Sequence, residues 1–74
     1  MRKVYVNFKS DTPNYYPERD GTKRNTVRKI DLNDVRFKVN VTHIGIIHAQ
    51  NQDEIFIREI TNITDYDGYR IYSW

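Results

Sequence analysis

Two histidines, two serines and an Asp-x-Asp-Gly run are the groups in this sequence best suited to bond making or metal binding. His43 and His48 are five positions apart. On one strand their side chains therefore fall on opposite faces unless Gly45 shifts the parity, so they do not form a metal pair. Ser10 and Ser73 stand in no turn that would present a nucleophile, and cysteine is absent. Asp65 and Asp67 before Gly68 open like a calcium loop, but no glutamate follows to close one, and Asp-Gly is first a hairpin turn. The three glycines lie too far apart to cradle a phosphate. The reading is of a protein that is not an enzyme, with no cofactor, no metal and no small-molecule substrate.

Binding is the chemistry that remains. Six tyrosines and a tryptophan are a surplus for so small a core, and Tyr and Trp dominate interface hot spots. Tyr15, Tyr16, Tyr66, Tyr69, Tyr72 and Trp74 are the expected interaction face, for another protein or for a second copy joined at an open strand edge. The alternative is nucleic acid: Arg2, Lys3, Lys23, Arg24, Arg28 and Lys29 would neutralise phosphates while Tyr15 or Tyr16 stacks on a base. Residues 1–38 hold ten Lys or Arg against five acids, and residues 39–74 hold two against five. The formal total of only +2 favours a protein partner.

The elements that must position these residues follow from patterning. Residues 2–8 alternate Val4, Val6 and Phe8 with Lys3, Tyr5 and Asn7, which predicts a strand. Residues 9–25 hold no period and carry Pro13, Pro17 and Gly21, so a long loop is expected there. Strands are expected at 26–32, at 35–41 with its clean alternation, and at 43–49. Residues 54–64 read two ways. Phe56, Ile60 and Ile63 recur at helical spacing after a capping Asn51, whereas the isoleucines and threonines favour a strand. The strand is preferred. Residues 65–68 form a turn and 69–74 a final strand.

The expected fold is therefore one all-β domain over residues 1–74, a five- to six-stranded small barrel or strongly bent antiparallel sheet, similar in broad architecture to SH3-like and Sm-like barrels. The alternative is α+β with a single helix at 52–63. No apolar run is long enough to span a membrane, and no signal-peptide pattern follows Arg2 and Lys3, so the chain is read as cytoplasmic with no membrane partner. Richness in Ile, Asn, Lys and Tyr suggests A/T-rich codons, hence a low-GC bacterium or a phage or mobile element living in one.

Overall fold

The computed structural model describes residues 2–74. Six strands and one short helix follow one another as β1 (Tyr5–Ser10), α1 (Thr12–Asp20), β2 (Asn25–Lys29), β3 (His43–His48), β4 (Ile55–Glu59), β5 (Asn62–Tyr66) and β6 (Tyr69–Ser73), with a 3-10 turn at Val35–Phe37. Alternation does what it should in β1: Val6, Phe8 and Ser10 point inward while Tyr5, Asn7 and Lys9 face out. The β5–β6 hairpin turns on Asp67 and Gly68, whose φ angles of 52° and 80° both lie in the left-handed region that a two-residue hairpin turn requires.

The strands form two three-stranded sheets, in the orders β1-β3-β4 and β2-β6-β5. A corner at Ile60 and Thr61 carries the chain from one sheet to the other. The Ile60 amide still bonds the Thr42 carbonyl beside β3, and the Thr61 amide already bonds the Ser73 carbonyl on β6. No barrel closes. β1 and β2 are joined by side chains instead of a ladder, because Arg28 on β2 donates 2.7 Å to the Lys9 carbonyl. Arg36, just before Phe37, reaches the Asn7 carbonyl at the same distance.

Between the sheets lie Val6, Phe8, Tyr15, Phe37, Ile44, Ile46, Phe56, Tyr72 and Trp74. Phe8 bridges the layers, with its ring centroid 5.4 Å from that of Tyr72 and 5.8 Å from that of Phe37. Phe56 and Trp74 meet at 6.0 Å on the other side. Each such buried ring contributes roughly 1.5 to 3 kcal/mol, and without cysteine this packing must supply the stability.

Several expectations are corrected. The stretch 9–25 is not a loop: it finishes β1 and contains α1. Pro13 sits in the first turn, where a missing N–H costs nothing, and Gly21 takes the left-handed conformation that stops the helix. The strand expected at 35–41 is absent, because Asp34 accepts from the Arg36 backbone amide and grips its guanidinium, closing a turn in place of a ladder. The helix considered for 52–63 is absent as well, and the chain there is strand on both sides of the corner. Nor is the sheet wholly antiparallel. β1 and β3 run parallel, with Val6 beside Ile44 and Phe8 beside Ile46, and residues 11–42 form the crossover that such a pair needs.

Candidate interaction face

Strand parity decides which aromatic residues meet solvent. On the sheet β2-β6-β5, odd-numbered residues of β2 and β6 face away from the core. Register aligns Lys29, Tyr69 and Tyr66 in one row and Val27, Ile71 and Thr64 in the next. Tyr66 is 74 % exposed and Tyr69 44 %, and as direct cross-strand neighbours beside the turn they place two phenol side chains on the same face. The second row is half-exposed and uncharged, so Lys29 gives the two rows their single formal charge. The face can offer ring surface, two hydroxyls and one ammonium to a ligand.

The other aromatic candidates lie elsewhere. Tyr15, Tyr72 and Trp74 are buried and belong to the core, so their place on the interaction face is corrected. Tyr15 is enclosed by His48 and Phe56, at 4.9 and 5.5 Å between centroids. Tyr16 is half-buried. Its hydroxyl donates 2.8 Å to Glu54, which raises its pKa, and the Arg19 guanidinium lies 4.8 Å over its ring.

The six basic candidates do not all converge: Lys23 and Arg28 meet around Glu18 and Ser10, and the others lie apart. Arg2 and Lys3 flank a shallow recess with His43 and Glu59. Arg24 donates to the Trp74 carbonyl at 3.2 Å. Lys23 pairs with Glu18 at 3.1 Å. Arg28 spends its donors on Thr26, Ser10 and the Lys9 carbonyl, and burial pulls its pKa below the usual arginine value. Lys29 alone joins the tyrosine row.

A polar cluster that patterning missed lies behind Arg28. Glu18, only 1 % exposed, accepts from the Ser10 hydroxyl at 2.7 Å and from Lys23, while Arg28 donates to Ser10 at 2.7 Å. These bonds tie α1, β1 and β2 together. The signal available in sequence was Tyr15 and Glu18 at helical spacing, but a nine-residue helix with two prolines shows no apolar stripe. His48 is likewise occupied in structure. Its Nδ1 accepts from the Gln50 and Asn51 amides, which leaves the proton on Nε2 to donate 3.1 Å to Thr12. His43 stands on the opposite face against Tyr5, at 4.8 Å between rings, as five-residue spacing requires.

A cleft of about 720 Å³ opens over the β1–β2 seam, lined by Phe8, Phe37, Arg28 and Arg36 among others. Both guanidiniums lie over the Phe8 ring, at 4.9 and 4.4 Å. Among the described residues no cluster of three or more His, Asp or Glu is placed to hold a metal ion. No helix among them is long and apolar enough to cross a membrane. No family model matches the chain, and no curated protein matches its sequence.

Proposed function

We propose that this chain acts by binding another protein, through the outer face of β2-β6-β5, and performs no catalysis. The observation that carries this reading is the exposed cross-strand pair Tyr66 and Tyr69 beside the half-exposed Val27 and Ile71. Tyrosine brings large contact area at little entropic cost, and a near-uncharged sheet face loses little on drying. Residue usage fits a modulator encoded by a phage or mobile element of a low-GC bacterium.

The test is affinity capture from such a host, comparing the wild-type chain with Tyr66→Ser/Tyr69→Ser. Both residues lie outside the core, so the variant should keep its fold, within about 0.5 kcal/mol of wild-type stability. A protein held by the wild type and released by the variant supports the reading. Identical captured sets from the two baits end it.

A second reading rests on Lys29 flanking the same two rings. Bases of a single strand could stack on Tyr66 and Tyr69 while Lys29 meets a phosphate. Binding of a fluorescent oligothymidine would then weaken with salt at a slope of about one counterion or less, because one lysine neutralises one phosphate. The dispersal of Arg2, Lys3, Lys23, Arg24 and Arg28 speaks for the protein partner.

A further inference from the structure

The two edges of the sheet β1-β3-β4 are finished differently. Along β1 the Val4 and Ser10 carbonyls accept from the β3 side, so those of Asn7 and Lys9 turn outward. There guanidiniums from Arg36 and Arg28 occupy them. Charged side chains on an edge are a common guard against pairing with another chain.

Among the described residues the β4 edge has no comparable cover. His48 donates to the Glu54 carbonyl and Ile60 to that of Thr42, so even-numbered residues of β4 bond β3 and the backbones of Ile55, Ile57 and Glu59 face outward. The side chains of Ile55 and Ile57 are 49 % and 51 % exposed. Ile47 lies beside Ile55 and the flat Gly45 beside Ile57, which extends the apolar strip across the sheet. One bond intrudes: Arg58 donates 2.9 Å to the carbonyl of its neighbour Ile57, and it also holds the Arg19 carbonyl.

We propose that two copies of this chain join through their β4 edges, antiparallel, about a two-fold axis passing at Ile57. This proposal is independent of the tyrosine face. The edge is self-complementary. Ile57 meets Ile57 of the second copy, and Ile55 meets Glu59 of the second copy, so all three outward-facing residues of each strand find partners without a bulge. Equal charges do not oppose one another in this register, and the formal net charge of +2 per copy is small. The Ile57 carbonyl exchanges its Arg58 donor for a backbone amide. A strand edge and a strip of isoleucine cover less than a standard interface of about 1,600 Å², so the association is reversible and concentration-dependent.

Sedimentation of the full chain from about 10 µM to about 1 mM, the weak end of specific affinities, should show the mass rise from one copy to two. Ile57→Lys and Ile57→Glu should each remain monomeric, since like charges would face each other across the axis. Their equimolar mixture should dimerise again, because Lys then meets Glu. Ile57 is outside the core, and circular dichroism would confirm that both variants fold. In the wild type, amide NMR signals of Ile55, Ile57 and Glu59 should shift on dilution. A chain monomeric throughout, a dimer that survives Ile57→Lys, or one abolished by Tyr69→Ser instead would overturn the proposal.

Discussion

Ser10 Oγ donates 2.7 Å to the Glu18 carboxylate in a place where water does not reach, Glu18 being 1 % exposed. That bond fastens the end of β1 to α1, and Lys23 completes the carboxylate's partners from the segment leading to β2.

Glu18→Ala should therefore be among the most damaging single changes in the chain. It takes away the acceptor of the Ser10 hydroxyl, which keeps only the bond it receives from Arg28, and it strands one lysine, although Lys23 is partly exposed and recovers some hydration. The expected loss is about 2 to 3 kcal/mol, a large share of the roughly 5 kcal/mol that a small domain has. Ser10→Ala should cost about 1 kcal/mol. Urea titration checks both, and a Glu18→Ala midpoint equal to wild type would show the cluster to be energetically idle.

The hairpin predicts an unequal pair of effects. Gly68 at φ 80° accepts alanine poorly, so Gly68→Ala should destabilise by roughly 1 to 2 kcal/mol. Asp67→Asn at φ 52° should be neutral or slightly stabilising, since asparagine favours that conformation in a two-residue turn. The melting temperature should fall for Gly68→Ala and hold or rise slightly for Asp67→Asn, and equal shifts would contradict the turn assignment.

How much of this was legible in the sequence depends on where each residue's bonds go. β1, β3 and β6 were readable because one face of each is covered, so Val6, Phe8, Ile44, Ile46 and Tyr72 had to alternate with polar neighbours or pack in a run. Residues 35–41 alternate just as well, yet Val35 and Val39 are exposed. Local bonds from Asp31 and Asp34 hold the chain in turns there, and alternation cannot report such competition. The aromatic face was half legible. Tyr69 and Tyr72 lie three positions apart and so fall on opposite sides of β6, but which side is wet depends on the packing of Phe8 from β1, far away in sequence.

Acid should weaken the fold through two surface carboxylates. Side-chain bonds from Arg36 hold the pKa of Asp34 below its ordinary value, and those from Arg70 do the same for Asp65. Their contribution is complete above the unfolded carboxylate value of about 3.9 and is lost as the pH falls from there through the lowered folded values. The urea midpoint should drop across that window. It should drop less steeply in Asp34→Asn/Asp65→Asn, and equal slopes would count against the pairing.

At Gly45 the test is of close approach. A Cβ there would collide with the side-chain oxygen of Asn7, while Ile55 Cδ1 at 3.8 Å is an ordinary contact. Asn7 is exposed and its amide can swing aside, so Gly45→Ala should cost less than about 1 kcal/mol. With Asn7→Ala in the background, the same change should become stabilising by roughly 0.4 to 1 kcal/mol through reduced unfolded-state entropy. Calorimetry of the two single variants and the double variant decides it, and a glycine that resists alanine in both backgrounds would implicate the backbone instead.

Tyr72 supplies the least intuitive expectation, a gain from deleting a polar atom at the centre of the molecule. Its ring is fully buried and its hydroxyl has no hydrogen-bond partner. The nearby Arg70 is committed elsewhere, with Nε and Nη2 on Asp65 and Nη1 on the Phe37 carbonyl. Burial therefore raises the phenol's pKa, and the nearby Arg70 guanidinium, by hydrogen bonding to the ionised oxygen and by its charge, only partly offsets it. An unsatisfied buried hydroxyl costs about 1 to 3 kcal/mol in desolvation, and phenylalanine keeps the ring contacts while removing it. Tyr72→Phe should stabilise by about 1 kcal/mol, which in a domain of this size raises the melting temperature by roughly 4 to 8 °C. A fall in melting temperature would mean that the hydroxyl binds Arg70 in solution, and that this bond is worth more than its burial costs.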